Sequence, residues 1–181
     1  MNASTQNTLN FFSKLTFKRV WNMCLIYLSF YLTKFTKKPI QLGMPFSISF
    51  EPTTSCNLRC PECPSGLRSF TRETGMLEQD FFKKTIDEIA DKLIYLTFYF
   101  QGEPYLHKNF LDMVSYARKK KIYTATSTNA HYLTDAMSKK TIESGLDRLI
   151  ISIDGTTQDV YQQYRVGGNL EKVLEGASTI A

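Results

Sequence analysis

After residue 45 the apolar and polar positions follow two alternating periods, one typical of strands and one typical of helices. In residues 46–53 every second side chain is apolar, whereas Phe82, Ile86 and Ile89 recur at helical spacing. Residues 93–100 are continuously apolar, which predicts a strand covered on both faces. The predicted strands are 46–53, 93–100, 122–128 and 147–154, and the predicted helices are 76–92, 109–120, 135–145 and 169–180.

This alternation of strands and helices is typical of a parallel sheet with crossover helices, and it predicts an α/β protein. Four such units would form a partial (β/α) barrel or a small open sheet. The fourth strand would then present an apolar edge, which soluble proteins avoid. We therefore expect either a natural chain that continues past residue 181 or a partner that covers this edge, and we favour the longer chain.

Residues 1–42 follow a different pattern and predict an amphipathic helical segment ahead of a core at 43–181. The uncharged run 20–33 is shorter than the roughly twenty residues that a membrane-spanning helix needs. Its apolar stripe, at spacings of four and three residues, comprises Trp21, Leu25, Leu28, Leu32 and Phe35. We expect this helix to dock on the core or to lie at a membrane surface, and we favour docking. Cys24 is expected to be a buried apolar residue.

Composition narrows the class of protein without identifying it. The chain is 43% hydrophobic and 22% charged, as is ordinary for one globular domain. Its net charge of +5 comes from dispersed basic residues, so nucleic-acid binding is not expected. Three of the four cysteines are clustered, which does not resemble a disulfide framework and indicates a reducing compartment. A cytoplasmic location follows, with membrane association at the inner face as an option.

Polar side chains collect where each predicted strand ends. Carboxyl ends of parallel strands meet at one edge of a sheet, where such folds build their sites. Glu51 and Thr53 follow the first strand, residues 101–104 the second, Ser127, Thr128 and Asn129 the third, and Ser152, Asp154 and Gly155 the fourth. These residues therefore predict a single pocket.

The densest chemical signal is the stretch CNLRCPEC, which places Cys56, Cys60 and Cys63 within eight residues. A structural zinc ion takes four protein ligands, whereas each iron of a [4Fe–4S] cluster takes one external ligand. Three cysteines would hold three irons and leave the fourth open to a substrate or cofactor. A zinc site with His107 or His131 as its fourth ligand is the alternative.

CNLRCPEC, in the loop after the first strand, resembles the cysteine motif of the radical S-adenosylmethionine (radical SAM) superfamily. QGEP (101–104) resembles its Gly-Gly-Glu-Pro motif, with Gln101 in place of the first glycine, and STNA (127–130) resembles its third-strand element. SIDG followed by YQQYRVGG resembles the branch that modifies peptides and proteins, whose members often carry a C-terminal SPASM domain. The resemblance covers roughly residues 45–168 and implies a partial barrel of the radical SAM type.

The resemblance also implies a ligand set. Cys56, Cys60 and Cys63 would ligate three irons of a [4Fe–4S] cluster, and S-adenosylmethionine would chelate the fourth. The implied S-adenosylmethionine-binding residues are Gly102, Glu103, Pro104, Asn129, Ser152, Asp154 and Arg165. Among them, Gly102 and Glu103 would hold the methionine amino group. Ser152 and Arg165 would contact the ribose or the methionine carboxylate.

The activity implied by the resemblance is reductive cleavage of S-adenosylmethionine. An electron donor of the flavodoxin or ferredoxin type would supply one electron, and a 5′-deoxyadenosyl radical would abstract hydrogen from a peptide or small molecule. No catalytic side chain is assigned. The alternative is a non-catalytic fragment of a larger protein that binds an iron–sulfur cluster or zinc.

Overall fold

The computed structural model describes residues 2–181 and contains four parallel strands. They are β1 (Ser47–Ser49), β2 (Tyr95–Thr97), β3 (Tyr123–Thr128) and β4 (Arg148–Ile151). The strands lie side by side in chain order, and each pairs in parallel with the next. The predicted parallel α/β arrangement is confirmed. Most strands are shorter than expected because their carboxyl-terminal residues leave the ladder and enter the loops that build the pocket.

Eight α-helices and one 3₁₀ helix are found in residues 2–181. They are α1 (Ala3–Ser13), α2 (Phe17–Thr36), α3 (Pro64–Leu67), α4 (Gln79–Ile89), the 3₁₀ helix Pro104–Leu106, α5 (Phe110–Lys119), α6 (Asp135–Ser144), α7 (Gln158–Tyr164) and α8 (Leu170–Ile180). Helix α6 has regular caps, since the Thr134 side chain accepts from the Met137 amide and Gly145 closes the helix with a φ of 74°. None of these helices combines the length and apolarity that crossing a bilayer requires.

The hydrophobic core lies on the face of the sheet that α4 and α5 cover. Phe82 and Ile86 of α4 and Met113 of α5 are fully buried there. Leu96 of β2 and Phe98, which directly follows β2, are fully buried against them. The prediction that residues 93–100 are covered on both faces is confirmed only in part, because burial is complete on this face alone. Tyr95 and Thr97 point to the opposite face and are only partly buried.

That opposite face is covered by α1 at the amino ends of the strands. The Phe11 ring packs edge-on against Tyr123, with centroids 5.5 Å apart. The Asn10 amide donates to the Asp147 carboxylate at 2.7 Å, and Lys14 pairs with the same carboxylate at 3.2 Å. The N-terminal segment therefore packs on the core, as we favoured.

Arg19, which is 3% exposed, fixes the start of α2. Its guanidinium donates to the Ala90 and Lys120 carbonyl oxygens at 2.8 Å each, and also to those of Lys14 and Lys121. Ala90 and Lys120 lie at the carboxyl ends of α4 and α5, where a cation complements the helix dipole. Arg19 thus joins α2 to two core helices.

The rest of α2 docks through its polar face. Asn22 exchanges two hydrogen bonds with the Met44 backbone at 2.7 and 2.9 Å, and the Ser29 hydroxyl accepts from the Leu42 amide at 2.8 Å. Trp21 on the apolar stripe is 57% exposed. Cys24 was expected to be buried, but it is exposed because it lies on the same outer face.

Candidate active site

A pocket of about 130 Å³ opens at the carboxyl ends of the strands. Its walls come from the cysteine loop after β1 and from the residues that follow β2, β3 and β4. The lining residues that the sequence had singled out are Cys56, Cys60, Cys63, Gly102, Glu103, Ser127, Thr128, Asn129, Ser152 and Arg165. The polar residues at the strand ends therefore meet in one place.

The cysteine loop is closed at its base by backbone pairing. The Thr54 amide donates to the Gly75 carbonyl at 3.1 Å, and the Leu77 amide donates to the Pro52 carbonyl at 2.9 Å. The Thr54 hydroxyl also accepts from the Gly75 amide at 3.0 Å. The cysteines therefore lie on a loop whose two ends are hydrogen-bonded to each other.

Two thiols face side-chain donors, one directly after β3 and one at the end of α7. Cys56 Sγ accepts from the Asn129 side-chain amide, and Cys60 Sγ accepts from the Arg165 guanidinium, each at 3.8 Å. Burial raises the pKa of both thiols, and the positive charge of Arg165 opposes this rise at Cys60. Asn129 and Arg165 therefore lie where they can donate to thiolate sulfur.

The backbone of the QGEP segment shows why glycine is required at position 102 but not at position 101. Gly102 has a φ of 77°, and a Cβ there would lie 1.9 Å from the Thr53 carbonyl oxygen, so glycine is required. Gln101 does not share this left-handed conformation and can carry a side chain. Its Oε1 accepts from Cys63 Sγ at 3.3 Å and from the Ser65 hydroxyl at 3.2 Å. The substitution thus adds a polar contact to the third cysteine.

Glu103 is 2% exposed, and both of its carboxylate oxygens accept hydrogen bonds from β3 and the residues after it. Oε2 accepts from the Asn129 amide at 2.8 Å, and Oε1 accepts from the Thr128 hydroxyl at 2.7 Å. Burial raises the pKa of Glu103, and these hydrogen bonds oppose the rise. The carboxylate therefore joins the segments that follow β2 and β3 and holds Asn129 at the pocket.

Two of the residues implied by the resemblance lie outside the pocket lining. Pro104 is buried as the first residue of the 3₁₀ helix, where its missing amide proton costs no hydrogen bond. Asp154 accepts from Arg165 Nε, and the other arm of the same guanidinium reaches Cys60. Asp154 therefore acts on the pocket through Arg165.

Five lining residues were not anticipated as site residues: Leu58, Ser65, Gly66, Tyr99 and Phe100. Tyr99 and Phe100 were assigned to the apolar strand, yet Phe100 is 78% exposed beside the pocket. Their position directly before QGEP was the available signal, since a residue there enters the loop rather than the core. Ser65 gave no sequence signal.

Both histidines lie outside the lining, so neither supplies the fourth ligand of the alternative zinc site. The His131 Nε2 accepts from the Asn169 amide at 2.9 Å, which leaves its Nδ1 to donate to the Asn129 carbonyl at 3.0 Å. The His107 Nδ1 accepts from the Asn109 amide at 3.1 Å. Burial also lowers the pKa of His131, favouring the neutral ring.

The three thiols line the pocket without sharing one point. Within residues 2–181, no three His, Cys, Asp or Glu side chains are placed to hold a single metal ion together. A polynuclear cluster receives each thiolate at a separate iron and needs no common point. A set of three thiols on one loop, facing a polar wall, fits a [4Fe–4S] cluster with one open coordination position.

Comparison with known proteins decides the family. The family model of the Radical SAM superfamily matches residues 50–181. The chain belongs to the radical SAM superfamily. The four-stranded parallel sheet is accordingly part of the barrel found in its members, and the predicted fold class is confirmed.

The relatives include a peptide-modifying member. The chain is 37% identical over 108 residues to the tungsten-containing aldehyde ferredoxin oxidoreductase cofactor-modifying protein of Pyrococcus furiosus, covering 58% of this chain and 29% of that protein. It is 28% identical over 116 residues to the PqqA peptide cyclase of Bradyrhizobium diazoefficiens, covering 64% and 30%. The chain thus spans less than a third of the length of these curated relatives.

A solved structure supports the fold. SuiB of Streptococcus suis, bound to S-adenosylmethionine, matches with a TM-score of 0.65 at 15% identity, covering 85% of this chain and 35% of that one. At this identity the likeness establishes the fold alone.

Proposed function

We propose that residues 43–181 form the cofactor-binding core of a radical SAM enzyme that cleaves S-adenosylmethionine reductively. The observation that carries the proposal is the convergence of three thiols with Gly102 and Arg165 on one pocket. Thiols would hold the cluster on one side, and strand-end groups would hold the cofactor on the other. The family to which the chain belongs uses this division of labour.

Cys56, Cys60 and Cys63 are the residues that would hold the [4Fe–4S] cluster. Bound there, the cluster would supply the single electron that reductive cleavage of S-adenosylmethionine to methionine and a 5′-deoxyadenosyl radical requires, for hydrogen abstraction from a substrate.

The remaining lining groups bind and orient the cofactor. The Arg165 guanidinium, anchored by Asp154 through Nε, keeps further N–H donors for the methionine carboxylate. The hydroxyls of Ser127 and Ser152 lie 3.0 Å apart and form a pair suited to the ribose hydroxyls. Gly102, which lacks a side chain, lets backbone approach the methionine amino group.

A peptide is the substrate class that the relatives favour, because one of them is named a peptide cyclase. A small molecule is the other candidate. The electron donor we propose is of the flavodoxin or ferredoxin type, since the reaction consumes one electron at a time. A cytoplasmic location, where such donors and free thiols persist, follows from the same chemistry.

Anaerobic turnover tests the proposal. The chain would be reconstituted with iron and sulfide, reduced with dithionite and incubated with S-adenosylmethionine, and products would be measured by mass spectrometry. We expect 5′-deoxyadenosine and methionine in equal amounts, and neither from Cys60→Ala. Exposed Cys24 lies outside the pocket, so Cys24→Ala is the matched control and should retain turnover. A cluster-loaded protein that forms no 5′-deoxyadenosine would favour the non-catalytic alternative.

A further inference from the structure

The net positive charge of the chain comes from its first fifty residues. They contain six lysines and arginines and no aspartate or glutamate, whereas residues 51–181 contain 16 basic and 17 acidic residues. The N-terminal segment thus carries +6, and the remainder of the chain carries −1. Lys34, Lys37 and Lys38 form the densest part of this positive charge, at the carboxyl end of α2. The cationic region coincides with the helix whose apolar side is exposed.

The outer face of α2 is an uninterrupted apolar stripe. The exposed residues of this stripe are Phe17, Trp21, Cys24, Leu28, Tyr31 and Phe35, at spacings of four, three, four, three and four residues. They include Trp21, Leu28 and Phe35 of the stripe predicted from sequence, whose Leu25 and Leu32 are partly buried. Counting about 100° per residue, all six side chains fall within roughly 40° of one line along the helix. Phe17 is 83% exposed and Phe35 is 79% exposed. Such a stripe would be expected in a core, yet here it faces outward.

The orientation of α2 is fixed by the contacts of its opposite face. Arg19, Asn22, Ser29 and Thr33 lie there and are hydrogen-bonded to protein groups. A Cβ at Gly43 would lie 2.8 Å from Ile26 Cγ1, so the returning segment lies directly against this inner face. Turning the apolar stripe inward would break these hydrogen bonds. The hydrogen bonds of the inner face therefore keep the stripe on the outer side of the helix.

We propose that α2 lies in the surface of an anionic bilayer. The stripe would enter the boundary between headgroups and acyl chains, and Lys34, Lys37 and Lys38 would contact the lipid phosphates. Tryptophan and tyrosine beside lysine favour this interface, because their rings are apolar and their polar tips remain in water. Charge complementarity selects the anionic bilayer as the occupant, because these three lysines carry positive charge at the end of the stripe and the first fifty residues contain no acidic residue. The other three cations are held by the protein, since Lys14 and Lys18 pair with aspartates and Arg19 is buried.

Trp21 is the only tryptophan of the chain and lies on the stripe, so its fluorescence reports the proposed contact without a label. The whole chain would be titrated with phosphatidylcholine vesicles with and without phosphatidylglycerol. We expect a blue shift with the anionic vesicles, quenching by brominated acyl chains, and weakening of both in high salt. An emission spectrum that ignores anionic vesicles would overturn the proposal.

Variants on and off the stripe test whether vesicle binding depends on the stripe itself or on any exposed aromatic side chain of α2. Phe17→Ser with Phe35→Ser should weaken vesicle binding about tenfold or more, since two exposed rings no longer enter the bilayer. Phe30 is the matched control, because it is 61% exposed on the same helix but lies outside the stripe. Counting about 100° per residue, it lies roughly 140° away, and Phe30→Ser should leave binding nearly unchanged.

The lysines and the competing occupant are tested in parallel. Replacing Lys34, Lys37 and Lys38 by glutamine should weaken binding to anionic vesicles on the order of a hundredfold. Sedimentation without lipid gives the mass of the chain and of the Phe17→Ser, Phe35→Ser variant. A dimer that the variant converts to a monomer would assign the stripe to a second copy of the chain and contradict the bilayer proposal.

Discussion

The two ends of the sheet differ on the face that carries the pocket. At the amino ends, the rings of Tyr95 and Tyr123 stack with centroids 5.2 Å apart and fill the space beneath α1. At the carboxyl ends, the same face carries Ser127, whose hydroxyl lies 3.0 Å from that of Ser152. Along β3 the side chain thus changes from a large ring to a small hydroxyl within four residues. The pocket exists because these strand-end side chains are small.

Polar groups are used differently at the two ends. Arg19 at the amino end directs its guanidinium to four backbone carbonyls, which satisfies it within the protein. Arg165 at the carboxyl end contacts Asp154 and, at 3.8 Å, a thiol. The first arginine stabilises the fold, and the second is placed for a ligand.

The largest effect is expected at the cysteines. Cys56→Ala removes one of three cluster ligands and should abolish stable iron binding, because two thiolates cannot hold the cluster in an open pocket. Iron and sulfide per chain, measured after anaerobic reconstitution, give the result. Cys24→Ala removes a thiol outside the pocket and should keep the full iron content. Equal iron in both variants would contradict the assigned ligand set.

Arg19→Ala should lower the stability of the fold and leave iron binding unchanged, whereas Cys56→Ala should abolish iron binding. Removing the guanidinium leaves several buried carbonyls unpaired, which should lower the free energy of unfolding by about 3 kcal/mol or more. Urea unfolding of the apoprotein measures this change. Lys18, whose side chain is 74% exposed, is the adjacent control, and Lys18→Ala should cost less than about 0.5 kcal/mol. Iron per folded molecule should be unaffected in both variants. A stable Arg19→Ala would show that α2 is not fixed by this residue.

Ser127→Phe would place a large ring at the carboxyl end of β3, like the ring of Tyr123 at its amino end. The ring would occupy the space above β3, so affinity for S-adenosylmethionine should fall more than about tenfold while the cysteines still bind iron. Calorimetric titration of the reconstituted protein checks this. Ser127→Ala removes only the hydroxyl and should weaken binding much less. If the phenylalanine variant bound the cofactor normally, the cofactor would not occupy this pocket.

The smallest effect is expected at Gln101. Once Cys63 is a thiolate ligand, its sulfur only accepts, so the Gln101 amide would turn its Nε2 toward it. A hydrogen bond to sulfur stabilises the more negative, reduced cluster. Gln101→Ala should therefore lower the midpoint potential on the order of tens of millivolts, given 59 mV per tenfold change for one electron. A potentiometric titration that shows no shift would exclude this contact in the loaded protein.

The sequence predicted the parts of this structure that depend on local pattern. Strand and helix order followed from periodicity, and convergence of Asn129 with the cysteines followed from the rule that parallel strands end at one edge. Arg165, which lies at the end of α7, was implied only by the family resemblance. The orientation of α2 could not be predicted, because an amphipathic pattern identifies two faces but not which one docks. Arg19 decided it, by reaching carbonyls 71 to 102 residues away in the chain. Phe100 was assigned to the strand for a similar reason, since a continuous apolar run does not show where the ladder ends.

Electron paramagnetic resonance of the reduced, reconstituted protein, recorded with and without S-adenosylmethionine, tests the central claim most directly. The claim is that one pocket holds both the cluster and the cofactor, so the cofactor must bind next to an open iron. We expect a [4Fe–4S]⁺ signal whose g values shift when S-adenosylmethionine is added. A well-formed cluster signal that is identical with and without S-adenosylmethionine would contradict the account.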